Sequence, residues 1–69
     1  MMDTVRDALP REMARVRDKV MPAYIEIGPS GALALAMMRR DVDLAAKAMA
    51  EGDAVEMIHM LKELRGWTL

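Results

Sequence analysis

Apolar positions recur with helical spacing in three stretches of this chain, separated by residues that interrupt regular structure. In the first stretch, Leu9, Met13, Val16 and Val20 follow one another at intervals of 4, 3 and 4, a single narrow stripe on one helix face. Pro10 suits a first helical position better than an interior one, so the pattern predicts a helix over 10–21 with 3–9 as a kinked or separate turn. Pro22 is expected to end it. Arg11, Arg15 and Lys19 share one flank of this helix, with Asp7 and Asp18 nearby. A mixed-charge flank of this kind reads as a solvated face before it reads as a phosphate site.

Between Pro22 and Gly28-Pro29 lies Ala23-Tyr24-Ile25-Glu26-Ile27. β-branched and aromatic residues bounded by breakers predict a short extended segment. One strand is not stable alone. Either it pairs with its own copy across a two-fold axis, or it is an extended linker packed on helices.

Ser30 is a suitable N-cap for a second helix over about 31–50. Placed at about 100° per residue, its apolar side chains form two stripes. Leu35, Met38, Val42, Ala45 and Met49 make one, and Leu33, Met37, Leu44 and Ala48 the other. Asp41 falls between them. Arg39, Arg40, Asp43 and Lys47 form the polar sector, where Asp43 and Lys47 have the i,i+4 order that favours an ion pair. A helix apolar on two sides needs two neighbours. The expectation is the next helix of the same chain for one stripe and a second copy for the other.

Glu51-Gly52-Asp53 is the clearest local signal. Gly52 can adopt the left-handed conformation that ends a helix. Asp53 can cap the next one, with Glu56 at the capping-box spacing. So short a connection makes the two helices antiparallel neighbours. The last helix spans about 54–65, with Ala54, Met57, Ile58, Leu61 and Leu64 on one face and Glu56, His59 and Glu63 on the other. Gly66 stops it. Trp67 then either folds back as a terminal clamp or stands out as an aromatic anchor for a partner.

Composition sharpens this picture. At 69 residues the chain is one small domain, and a chain so short buries only roughly 60% of its unfolded surface. With no Cys and one His, disulfides and a structural zinc site are not available to stabilise it. Oligomerisation is the remaining route. The net charge of −1 does not suggest a general nucleic-acid or membrane binder. The longest apolar run, 32–38, is far short of the roughly 20 residues a bilayer requires. No signal-peptide pattern opens the chain, so the cytoplasm is the expected location. Nine Met beside one Tyr, one Trp and no Phe fit both irregular core gaps and adaptable binding surfaces.

The candidate chemistry is slight. His59 and Glu63 are one helical turn apart with Glu56 near, but without a second His or a nucleophile. No Gly-rich phosphate loop follows a strand. The expectation is a non-enzyme without cofactor or metal. DNA binding is the rival reading, because a strand followed by two helices is the order of a ribbon-helix-helix dimer. Such a ribbon would present Glu26 and no Lys or Arg, which opposes phosphate. A helix-turn-helix built on Ala48, Gly52 and Ile58 would open its recognition helix with Asp53 and Glu56, to the same effect.

The Met21–Pro29 segment and the Ala45–Asp53 stretch, in a chain of this size and helical make-up, resemble small phage early proteins, and over the full length the quorum-sensing anti-activator of Pseudomonas transposable phages. The resemblance rests on general pattern and not on one diagnostic motif. It implies a helical homodimer that binds the DNA-binding domain of a host LuxR-type transcription activator and blocks promoter binding. It also implies inhibition of the type IV pilus assembly ATPase.

Taken together, the expected fold is all-α. An N-terminal helix over 1–22 leads through an extended linker or short strand, 23–29, to an antiparallel helical hairpin, 30–66, that assembles as a homodimer. Leu35, Met38, Val42 and Met49 are the expected dimer core. Tyr24, Arg39, Arg40, Glu51, Asp53 and Trp67 are the candidate contacts to a host protein, because they combine exposure with aromatic, Arg or clustered acidic character. A structural dimerisation module is the third reading.

Overall fold

The computed structural model describes residues 4–69, and every regular element among them is helical. The order is α1 (Val5–Arg15), a π-helical turn (Val16–Val20), α2 (Met21–Ile27), a 3-10 turn (Pro29–Gly31), α3 (Ala32–Glu51) and α4 (Ala54–Arg65).

The first helix starts earlier than its apolar spacing suggests. Thr4 Oγ1 accepts from the Asp7 backbone N–H at 3.2 Å, and the Asp7 carboxylate reaches back to the Thr4 N–H, a capping box. Pro10 therefore lies inside α1 and does not open it. An interior Pro costs about 3 kcal/mol through a lost hydrogen bond and a clash with the preceding turn. Burial of Ala8 and Leu9 just before it helps to offset that cost.

Pro22 does not end the helix either. The Met21 N–H bonds to the Val16 carbonyl five residues back, so the helix widens by one residue into a π turn. Pro22 has no N–H to give, and its ring would press on the carbonyl four residues earlier. The wider turn ahead of it lets the helix run on through Ile27. Residues 23–27 are thus helical and not extended, and no strand pairs across a two-fold axis through them. Tyr24 is half-buried against the core, and this packing overrides the local β preference.

Gly28 ends α2 with φ 87° and ψ −149°, a backbone region open only to glycine. Gly31 is buried at the start of α3. A Cβ there would stand 2.6 Å from the Tyr24 carbonyl oxygen. Gly31, not Ser30, is the N-cap residue of α3, and Ser30 makes no side-chain cap. The turn at the far end of α3 is as read from sequence. Gly52 is left-handed at φ 67°, and Asp53 Oδ1 accepts from the Glu56 N–H at 3.1 Å.

α3 and α4 pack on each other, α1 lies mainly against α4, and the π turn and α2 lie against α3. Leu9, Val16 and Val20 from the first helical run meet Met38, Ala45 and Ala48 of α3 and Met57, Met60 and Leu64 of α4 in one core. Each large side chain buried there contributes about 1.5–3 kcal/mol. The inward face of α4 is rotated from the expected one. Met60 is buried, while Ala54 and Ile58 are exposed.

The stripe assigned above to a dimer core is occupied within one chain. Leu35 and Met38 are buried, and Val42 and Met49 are half-buried against the same core. The first helical run and α4 together supply the neighbours that the sequence pattern divided between α4 and a second copy.

Candidate functional site

Among the described residues, two polar arrangements and an apolar strip on α3 have chemistry to offer. The first polar arrangement is His59 on α4. Its Nδ1 lies 3.4 Å from Glu56 Oε1 and its Nε2 3.3 Å from Glu63 Oε1. A neutral imidazole can donate to only one of them, and a protonated one to both. All three side chains lie along one side of α4, His59 and Glu63 exposed and Glu56 partly so. Among the described residues no group of His, Cys, Asp or Glu is arranged to hold a metal ion.

The second centres on Asp41, the one buried charged residue among those described, at 3% exposure. Trp67 Nε1 donates to its Oδ2 at 2.9 Å, and Arg40 Nη2 stands 3.7 Å from its Oδ1. Trp67 itself is half-buried against the core. The indole N–H thus satisfies a carboxylate that burial alone would disfavour. Gly66 and Trp67 close the end of α4 by donating to the carbonyls of Lys62, Glu63 and Leu64. Trp67 acts as the terminal clamp, and its anchor is Asp41.

The apolar strip is on α3. Leu33, Met37 and Leu44 are 74%, 39% and 37% exposed. They are spaced 4 and 7 apart and therefore lie along one line of the helix, roughly 16 Å long. Ala48, expected in the same stripe, is buried. Arg40 and Lys47 border the strip on its solvent side, and both are exposed. On the other side lies Asp41, four residues after Met37 and three before Leu44.

The six candidate contact residues do not form one surface. Tyr24 is half-buried on α2. Glu51 and Asp53 are exposed at the α3–α4 tip, about 17 Å along α3 from Arg39 and Arg40. Arg40 and Trp67 do meet, through Asp41. The basic flank read from Arg11, Arg15 and Lys19 is also divided. Arg15 is half-buried, pairing with Glu12 at 3.0 Å and donating to the Leu64 carbonyl at 3.0 Å, whereas Lys19 is exposed. Arg17, which the pattern did not single out, donates to both oxygens of Asp18 at 2.9 and 3.2 Å. That hydrogen bond outweighs the opposing desolvation and, with attraction from Arg17 and Lys19, holds the Asp18 carboxyl below its ordinary range. The same hydrogen bond raises Arg17.

The Asp41–Trp67 contact is not legible in the sequence. Its one signal is an acid set between two apolar stripes, and nothing local names its donor 26 residues away. The ribbon needed for a ribbon-helix-helix reading coincides with α2 and is helical. No helix among the described residues is long and apolar enough to cross a membrane. No protein-family model matches this chain, and no curated protein or solved structure does.

Proposed function

We propose that this chain is a non-enzymatic, phage-type inhibitor. In this reading its α3–α4 antiparallel hairpin pairs with a second copy, and the dimer occludes a functional surface of a host protein. The observation that carries the reading is the strip of Leu33, Met37 and Leu44, left facing solvent on a helix whose opposite arc already fills the core. Apolar side chains aligned in this way mark association surfaces. The strip takes the role first given to Leu35, Met38, Val42 and Met49.

The class of target follows from the resemblance noted in the sequence, which implies a LuxR-type quorum-sensing activator, with the type IV pilus assembly ATPase as a second target. Charge supports the first. Glu51 and Asp53 stand exposed at the α3–α4 tip, and a DNA-contacting face is basic. The dimer would act stoichiometrically in the host cytoplasm, its acidic tip covering the surface that otherwise meets phosphate.

The test mixes the purified chain with a LuxR-type activator and its promoter duplex. The expected result is loss of the activator–DNA complex at near-equimolar chain, with no binding of the chain to the duplex itself. Promoter binding undiminished by a tenfold excess would overturn the reading.

A further inference from the structure

The C-terminal residues have a feature that the proposed association does not use. Trp67 is tied to the body of the protein by one directed side-chain contact, its Nε1–H donating to Asp41 Oδ2 at 2.9 Å. Leu69, two residues further on, is 83% exposed. The acceptor is a carboxylate almost wholly removed from water, and its other oxygen has Arg40 at 3.7 Å. On the surface of α3, Asp41 is the immediate neighbour of Met37 and Leu44, at i−4 and i+3. Trp67 is therefore tied to a residue that borders the strip Leu33–Met37–Leu44 on its inner side.

We infer that Trp67 is a latch, and that its docking on Asp41 sets whether the α3 strip can associate. This rests on the reading of that strip as an association surface. Docked, the indole N–H satisfies one carboxylate oxygen, and the strip is bounded by a charge that already has its donor. Released, the tail leaves a carboxylate beside Met37 and Leu44 without its donor. Any apolar surface seated there would have to strip water from that charge, which is unfavourable without a hydrogen bond to replace it. Latch closure therefore favours association, and by linkage association holds the latch closed.

The experiment uses the full chain and its sole Trp. Acrylamide quenching of Trp67 is measured at concentrations low enough for monomers, and the dissociation constant of self-association by sedimentation. Asp41→Leu removes the acceptor but preserves an apolar fit, and Trp67→Phe preserves a ring but removes the donor. A hydrogen bond to a charged acceptor is worth roughly tenfold or more in the docked-to-released ratio. We expect wild-type Trp67 to be protected and Asp41→Leu to expose it. We expect Trp67→Phe to weaken self-association about tenfold and to speed amide exchange at position 67, whose N–H bonds to the Leu64 carbonyl. Circular dichroism of each variant confirms that its helices are kept.

Wild-type Trp67 quenched as fast as free indole would overturn the latch itself. A protected Trp67 together with a Trp67→Phe dissociation constant equal to wild type would overturn its control of the strip. A protected Trp67 in a chain that stays monomeric at every concentration would overturn the self-association reading and, with it, that control, leaving the latch supported as a closure of the monomer.

Discussion

Arg15 Nη2 donates to the backbone carbonyl of Leu64 at 3.0 Å, joining residues 49 apart in the chain. The carbonyl belongs to the last turn of α4, where four oxygens have no partner within the helix. A guanidinium there supplies both a hydrogen bond and a positive charge at the negative end of the helix dipole. Glu12 holds the same guanidinium from the side, at 3.0 Å. Arg15 thereby fixes the first helical run against the end of the last helix.

Removing that contact measures how much it contributes. Arg15→Ala is expected to lower stability by about 1–1.5 kcal/mol, the value of one half-exposed charged hydrogen bond together with its dipole interaction. Arg15→Lys should recover part of the loss. Urea denaturation of the three proteins checks this; an Arg15→Ala variant as stable as wild type would show that the contact is not formed in solution.

Two glycines differ in why they are needed. Gly31→Ala places a methyl 2.6 Å from the Tyr24 carbonyl oxygen, and backbone must move to admit it. A loss of more than about 2 kcal/mol is expected. At Gly28 nothing lies within 4 Å of a new methyl, but φ is 87°. Gly28→Ala should cost about 1–3 kcal/mol through backbone strain alone. Thermal unfolding of each variant measures the two losses, and a shortened side chain at Tyr24 should rescue neither, since both effects lie in the backbone.

Pro10→Ala should stabilise the protein. It restores an N–H to the interior of α1 and relieves the ring at an exposed position. Of the roughly 3 kcal/mol that an interior Pro costs, a gain of about 1–2 kcal/mol should be visible, because Ala also loosens the unfolded chain. A fall in melting temperature would contradict the continuous helix through Pro10.

The two stripes of α3 should respond differently to substitution. Met38 is wholly buried, so Met38→Ala is expected to cost about 2–5 kcal/mol and to loosen the whole fold. Leu33→Asp, at a position 74% exposed, should leave the monomer's stability within about 0.5 kcal/mol and abolish self-association. Sedimentation and circular dichroism read the two effects separately.

Asp18 should titrate below the ordinary carboxylate range, since Arg17 hydrogen-bonds its ionised form. Its folded value being depressed, the pair's support is complete above the unfolded value and lost as pH falls through the folded one. The window is confined to strongly acid solution. Both side chains are more than half exposed, so Arg17→Ala should be neutral in stability at pH 7. Carboxyl NMR titration of wild type and Arg17→Ala gives the test, with the Asp18 midpoint rising in the variant.

Sequence alone determined what depends on neighbours within a turn or two. The stripe of Leu9, Met13, Val16 and Val20 is inward-facing as its spacing implies, because helical period is a local property. Gly52 and Asp53 turn the chain where they do because a left-handed residue and an N-cap are chemically specified. The tertiary structure decided the rest. Residues 23–27 carry a β-type preference, yet they are helical because a π turn absorbs Pro22 and Tyr24 packs on the core. The greasy arc of α3 was plain from its pattern, but a pattern names a face and not its neighbour. Packing within the single chain buried Leu35 and Met38 and half-buried Val42 and Met49, and left Leu33, Met37 and Leu44 outside. Asp41 found its donor in Trp67 only because α4 brings the chain's end back to α3, and a contact between residues 26 apart has no periodic signature.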